Sequence, residues 1–268
     1  MALSSFLDPI LRPLLTLGPL TTLFIVSLFI SFVTTIIYKY TTNQEKLKEL
    51  KADMKRLQKK ATALSKEGKS DKAMKIQKDM MKMNGQFMKA SFRSTLFTFL
   101  PIILFFGWLS ATLAFSPLLP GATFDVDVQF QEGVVGNVSL LVPEGFVLIS
   151  NQTQTLLTQE GKNILTWKLQ APNSSNTYEL KFKHDASQEE ISASLIVTTE
   201  QKYEEPIILI KDSDIFLEVK VGLEKLIILE EVPVLEHVPL IKNWGWFGMY
   251  FLFAIGFSMG LKKILKLA

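Results

Sequence analysis

Three stretches of the chain, residues 20–38, 94–115 and 244–261, are predominantly apolar and contain no Asp, Glu, Lys or Arg. Each is about 18–22 residues long, the length an α-helix needs to cross roughly 30 Å of hydrocarbon. A helix is also the one single segment that satisfies its own backbone hydrogen bonds there. The pattern predicts an α-helical membrane protein, a three-span bundle. The first run does not read as a secretory signal, because the residues before it carry only Asp8 and Arg12 as charges, whereas a signal has a basic N-terminal flank.

Charges outside the spans are sharply sorted. Residues 39–93 hold 16 Lys+Arg against 6 Asp+Glu, a surplus of +10, while residues 116–243 hold 9 against 19, a deficit of −10. The formal charge of +3 conceals this division. By the positive-inside rule, residues 39–93 and the basic tail 262–268, with Lys262, Lys263 and Lys266, are expected in the cytoplasm. The N-terminus and residues 116–243 then lie outside a multi-pass protein of the cell membrane. Asn137, Asn151 and Asn173 each open an Asn-x-Ser/Thr triplet in the segment assigned outside, and are candidates for N-glycosylation. The chain has no Cys, which excludes disulfides and thiolate metal sites.

In residues 1–19, Leu3, Phe6, Leu7, Ile10, Leu11, Leu14 and Leu15 recur at helical spacing around Pro9 and Pro13, predicting an amphipathic interfacial segment. After the first span, Thr42 with Glu45 three residues on matches a capping box. Leu47, Leu50, Met54, Leu57, Ala61 and Leu64 then alternate spacings of three and four, a coiled-coil seam. Gly68 suits a helix C-terminal turn and Ser70 the cap of a second helix. The seam resumes at Ala73, Ile76, Met80, Met83, Phe87 and Ala90. Residues 39–93 therefore predict a cytoplasmic antiparallel coiled-coil hairpin whose first arm, about 25 residues, extends on the order of 37 Å.

Residues 116–243 read differently. Phe124, Val126, Val128 and Phe130 alternate with Asp125, Asp127, Gln129 and Gln131, and the same period of two returns at 178–183 and 215–221. Turn-forming clusters at 143–145, 161–163 and 172–175 divide short strands. The expectation is an extracytoplasmic all-β immunoglobulin-like sandwich with Trp167 in its core, followed by a linker with Pro233 and Pro239.

No catalytic constellation is visible. There are two histidines, His184 and His237, expected on solvated loops, no phosphate-binding glycine loop and no carboxylate within a span. An enzyme is not expected, nor a metal or cofactor. The informative side chains are apolar and hydroxylic. Met74, Met80, Met81, Met83 and Met88 crowd the second arm, and flexible methionines repack around varied apolar partners. Met80 and Met83 fall on the seam; Met74, Met81 and Met88 fall off it. Ser27, Ser31, Thr34, Thr35 and Tyr38 form a polar stripe in the first span. With Arg93, Ser94, Thr95 and Thr98 in the second and Ser258 in the third, they are candidates to line a groove wet from the cytoplasm and closed toward the outside. Hydroxyls in spans also serve simply to pack helices. Gly107 with Ala111 and Gly256 with Gly260 are small-xxx-small pairs expected to let the spans approach closely. Pro101 is expected to kink the second span.

The order of these elements, a span, a basic hairpin with its Met-rich run over 79–89, a Pro-containing span with Phe105-Phe106-Gly107-Trp108, and a third span, resembles the archaeal YidC-like proteins. These belong to the YidC/Oxa/Alb superfamily of membrane-protein insertases, to which a core subunit of the ER membrane protein complex is related. The resemblance implies an insertase and chaperone: the methionines catch apolar segments of nascent membrane proteins, which pass along the polar groove and slide laterally into lipid without nucleotide hydrolysis. It implies nascent membrane proteins as partners, with the ribosome and translocon subunits as further candidates. Two departures stand out. Bacterial members carry an arginine inside the groove, whereas the first span here has no charge and Arg93 lies at the membrane edge. The β-region lies outside the three-span core, so its own partner stays open. The alternative is a membrane-anchored sensor, adhesion or structural subunit acting through the outer β-sandwich.

Overall fold

The computed structural model describes residues 6–157, 163–229 and 243–267. It forms two units, Met1–Leu109 with Ile228–Ala268, and Ser110–Ile227. Leu3, Gly161, Pro233, His237 and Pro239 lie outside the described residues.

In the first unit a single turn, α1 (Asp8–Leu11), runs into a 3-10 helix (Arg12–Leu17). Pro9 and Pro13 stand near the start of each, where their missing N–H costs nothing. Leu7 and Leu11 are buried while Phe6 and Ile10 are exposed, so the segment has two faces but is not one continuous helix. After Gly18 comes α2 (Pro19–Thr41), then α3 (Gln44–Lys66), α4 (Ser70–Leu113) and, beyond the β-region, α5 (Trp246–Ile264). Among the described residues, three helical segments are long and apolar enough to cross a membrane: Pro19–Thr41, Ser94–Leu113 and Trp246–Ile264.

The N-cap of α3 is Asn43 rather than Thr42. The Asn43 side chain accepts from the Lys46 N–H at 3.0 Å, while the Thr42 hydroxyl donates back to the Tyr38 carbonyl. With Lys46 in the third position, Glu45 has no place in a capping box. The α3 end matches its sequence signal: Gly68 has φ +73°, the Lys69 N–H donates to the Leu64 carbonyl (3.0 Å), and the Gly68 N–H to Ser65 (3.2 Å). Ser70 is the first residue of α4 rather than a flanking cap. Burial follows the three-four spacing in both helices: Leu47, Leu50 and Ala73 are buried, and the other seam positions are half-buried. No turn separates the hairpin from the second span, because α4 runs unbroken for 44 residues, through Pro101.

The second unit is all antiparallel β. One sheet has the order β3 (Val147–Leu148), β5 (Ile164–Gln170), β1 (Thr123–Phe130), β9 (Phe216–Val221), β8 (Ile207–Leu209). The other is β4 (Thr153–Leu156), β2 (Gly136–Leu141), β6 (Asn176–His184), β7 (Glu190–Val197). Inward residues of both share one core, to which Val126, Trp167 and Val219 contribute from the first sheet and Leu140 and Phe182 from the second. Trp167 stands opposite Val126, meets Phe182 at 5.5 Å between ring centroids, and donates its indole N–H to the Gln152 carbonyl (3.2 Å). Within this unit the Tyr203 hydroxyl donates to the Ser110 carbonyl (2.7 Å) and the Gln201 amide to the Thr112 carbonyl (2.8 Å). Burial pushes the Tyr203 phenol above its usual pKa, its backbone hydrogen bonds at Ala114 and Phe115 acting the other way.

His184 corrects the sequence expectation of a solvated loop. It ends β6 at 4% exposure, its Nε2–H donates to the Val135 carbonyl (3.1 Å), and its Nδ1 accepts from the Ser187 hydroxyl (2.8 Å). One ring thereby ties the β1–β2 loop to the β6–β7 turn. Gly136, at φ +128°, makes room, since a Cβ there would sit 3.0 Å from Nε2. His184→Ala should destabilise the β-unit by about 1–3 kcal/mol, because it orphans the Val135 carbonyl and leaves a void. A lower thermal midpoint by near-ultraviolet circular dichroism of the whole chain is the expected reading; an unchanged midpoint would show that neither the ring's hydrogen bonds nor its packing stabilises the unit.

Candidate functional site

The methionines separate into two sets. Met80 and Met83 are half-buried on the seam. Met74, Met81 and Met88, 57%, 71% and 65% exposed, follow one another at intervals of seven residues and so line up along the axis of α4. Phe92, Leu96, Phe99 and Ile103, all exposed, continue that line at spacings of four, four, three and four. The result is one largely apolar track on one helix, on the order of 43 Å long, running from the hairpin into the span and interrupted by exposed Lys78 between Met74 and Met81. Gly85 lies on the same line, and a Cβ there would meet nothing within 4 Å.

Packing within the first unit is uneven. Far from the hairpin, Phe105, Trp108 and Leu109 of α4 and Met249 and Tyr250 of α5 are buried. There the Phe106 ring meets Trp246, Phe247 and Tyr250 edge to face. Toward the hairpin, Leu96, Phe97, Phe99, Leu100 and Ile103 are all uncovered. The bundle is sewn together at one end and open along α4 at the other.

Helix α2 carries the polar stripe inward. Ser27, Ser31 and Thr35 are buried, Thr34 and Tyr38 half-buried. Phe24 touches Phe253 and Phe257, and the Tyr38 ring lies 5.0 Å from the Lys262 ammonium, so the face between them looks toward α5. The threonines satisfy themselves: Thr34 donates to Ile30 (2.8 Å), Thr35 to Ser31 (2.6 Å), Thr95 to Ser91 (3.3 Å) and Thr98 to Thr95 (3.0 Å). Four serine hydroxyls do not. Among the described residues, the side-chain oxygens of Ser27, Ser31, Ser91 and Ser94 are buried without a hydrogen-bond partner. Ser94 belongs to the expected groove, whereas Ser91 was no part of it; its spacing of three from Ser94 on α4 is the signal that could have found it. Thr95 is exposed, Thr98 and Ser258 are half-buried.

The small-xxx-small pairs are not used for packing inside the chain. Gly107, Gly256 and Gly260 each have nothing within 4 Å of an added Cβ, and Ala111 is exposed. The α2–α5 contact is made instead by the Phe24, Phe253 and Phe257 rings, whose bulk keeps the helices apart beside Gly256 and Gly260.

A family model described as integral membrane protein EMC3/TMCO1-like matches residues 4–163, more than half the chain. The chain belongs to that family. The EMC3/TMCO1-like family is part of the Oxa1/YidC/Alb3 insertase superfamily and is linked to membrane-protein insertion. Its match takes in the N-terminal segment, the first two spans, the hairpin and the opening strands of the β-unit. No curated protein and no solved structure matches the chain.

A buried hydroxyl that makes no bond contributes nothing to folding beyond its desolvation cost. The double variant Ser27→Ala with Ser31→Ala should therefore melt at the same temperature as the parent or higher. A loss greater than about 1 kcal/mol in detergent would mean that these hydroxyls bond within the fold.

Proposed function

We propose that this EMC3/TMCO1-like protein is an insertase and chaperone of the archaeal YidC-like kind, which captures apolar segments of nascent membrane proteins and passes them laterally into the bilayer. The observation that carries the reading is the line of exposed apolar side chains on one continuous helix, α4, from Met74 to Ile103, interrupted by Lys78 and Gly85. From Met88 through Phe92 and Leu96 the line has no gap, so an apolar segment caught there moves from methionine to lipid without returning to water. At about 25 cal/mol per Å2 of apolar area removed from water, that burial drives the step without nucleotide hydrolysis.

The polar flank of such a client is the obstacle, since one charge at mid-bilayer costs about 2.5–3.5 kcal/mol. The hydroxyls of Ser27, Ser31, Ser91 and Ser94, with Thr34, Thr35, Tyr38, Thr95, Thr98, Ser258 and Arg93 nearby in sequence or pattern, supply hydrogen-bonding capacity to water or client on the hairpin side. In this reading the hairpin and the C-terminal tail are cytoplasmic, and the N-terminus and β-unit are outside. The 39–93 region works as a coiled coil that meets the nascent chain, the ribosome and translocon subunits being its further partners. The β-unit is immunoglobulin-like: β1-β5-β3 and β4-β2-β6-β7 reproduce the two-sheet division of that fold, with β9 beside β1 where its first strand would lie. It binds a partner of its own and bears glycans at Asn137, Asn151 or Asn173 where the host supplies them.

Photocrosslinkers at Met81, Met88 and Ser31 should report the path during translation of a single-span client. Contacts are expected to shift from the methionines to Ser31 as the nascent chain lengthens, and Met81→Asp with Met88→Asp should cut the first contacts severalfold. Silence at all three positions in correctly inserted protein would sink the reading. Protease added to inside-out vesicles should cut residues 39–93 and spare the β-unit; cleavage of the β-unit instead would reverse the topology.

A further inference from the structure

The hairpin-distal end of the first unit is crossed by a strap. Asp8 Oδ1 accepts a 2.9 Å hydrogen bond from the indole N–H of Trp108, a side chain of α4 that is wholly buried. Six residues on, the Leu14 carbonyl accepts from the Thr22 hydroxyl of α2 at 2.6 Å, a hydroxyl shared with Gly18 at 2.8 Å. Leu7 and Leu11 fill the space between these two tethers and are themselves buried. One short segment thus bonds to α4 at one point and to α2 at another, both near the helix ends remote from the hairpin. Gly18, at φ +89° and ψ 157°, folds the strap back onto α2 in a conformation essentially only glycine adopts.

Asp8 is the sole acidic residue before Glu45. A carboxylate at a membrane edge is costly to desolvate, whereas a backbone carbonyl or hydroxyl would accept from an indole more cheaply. What the carboxylate adds is strength, because a charged acceptor makes roughly twice the bond of a neutral one. The other tether is made with a main-chain acceptor at short range. Both contacts lie at the end away from the hairpin, whereas toward the hairpin the apolar side chains of α4 are exposed.

We propose that residues 7–14 are a lock on the hairpin-distal end of the bundle, with Asp8 as the positioning residue, so that the polar interior opens toward the hairpin alone. The lock rests on the proposed insertase reading only for its purpose: it keeps the interior from becoming a continuous water path while a client's polar flank occupies it. The geometry of the lock stands apart from that reading and can fail or hold separately.

The natural absence of cysteine allows a direct test in the full chain, reconstituted in phosphatidylcholine–phosphatidylglycerol vesicles. Leu23→Cys places one thiol at a wholly buried position next to Thr22, and Ile10→Cys places one on the exposed face of the strap as a control for reagent access. A membrane-impermeant maleimide should label Ile10→Cys rapidly in every background and Leu23→Cys slowly in the parent. Adding Asp8→Ala should speed Leu23→Cys labelling about tenfold, the factor lost with one charge-assisted bond. Trp108→Phe, which removes the donor and keeps the ring, should do the same and serves if Asp8→Ala does not fold. Asp8→Asn keeps an acceptor oxygen without the charge and should label at an intermediate rate, about threefold above the parent. Labelling unaltered by Asp8→Ala and by Trp108→Phe would overturn the lock. Protection lost equally in Asp8→Asn would overturn the role of the bond. Gated labelling in a protein that shows no client crosslinks at Met81 or Met88 would leave the lock standing and remove the insertase reading.

Discussion

Helix α4 does not end where the membrane begins. From Ser70 to Leu113 it is one helix, and the rest of the first unit depends on that continuity. Inside hydrocarbon a backbone cannot release its hydrogen bonds, so the span must be helical. Outside, the seam of Ala73, Ile76, Met80 and Met83 keeps the same segment helical by giving it a buried stripe. Because no turn intervenes at Arg93, the azimuth of every exposed side chain in the hairpin is fixed relative to the span. The seven-residue interval of Met74, Met81 and Met88 therefore runs straight into Phe92 and Leu96. A flexible joint at residue 93 would have left two unrelated apolar patches.

The sequence made the elements legible because each is dictated by a local period. Uncharged runs marked the spans, three-four spacing marked the hairpin arms, and alternation marked β1, β6 and β9. Gly68 ended α3 as its chemistry requires, since a left-handed residue lets Lys69 and Gly68 donate back to Leu64 and Ser65. The errors lay where two neighbours compete for one role. Thr42 and Asn43 can both cap, and the choice turned on Thr42 already bonding to Tyr38. Tertiary partners were invisible in the same way. Nothing in the neighbourhood of His184 says that Val135 will come within 3.1 Å of it, and nothing around Gly256 says that Phe24 will meet its neighbours Phe253 and Phe257 instead of the glycine.

The β-unit obtains its stability without disulfides by stacking large side chains from both sheets. Trp167, Phe182, Phe130 and Phe216 are all fully buried, and the first two and the last two pack ring against ring. Trp167 carries a polar atom into that core and finds a main-chain carbonyl at Gln152, so its burial leaves no orphan. The outward faces are correspondingly polar. Ser139 pairs with Thr153, Asn137 with Thr155 and Thr166 with Asp127, short side chains that satisfy one another across strands. Two of these pairs involve glycosylation triplets: Asn137 and its partner hydroxyl Ser139 are both engaged in the folded sheet, as is Thr153 of the Asn151 triplet. Any glycan at these two positions would have to be attached before β2 and β4 pair.

The contrast between the two units lies in how they treat hydroxyls. The β-unit pairs several of its exposed serines and threonines although water would satisfy them at no cost. The helical unit buries Ser27, Ser31, Ser91 and Ser94 unpaired in the one environment where water is scarce. Each such hydroxyl costs about 1–3 kcal/mol relative to a bonded one. Alanine would remove that cost and pack as closely, so stability alone does not account for four serines there. The threonines beside them show that local self-satisfaction was available, since Thr34 and Thr35 bond to the preceding turn. Serine can do the same, and in these four it does not. A hydroxyl left with its bonding capacity unspent is suited to a partner that comes and goes, and the uncovered half of α4 gives such a partner its way in.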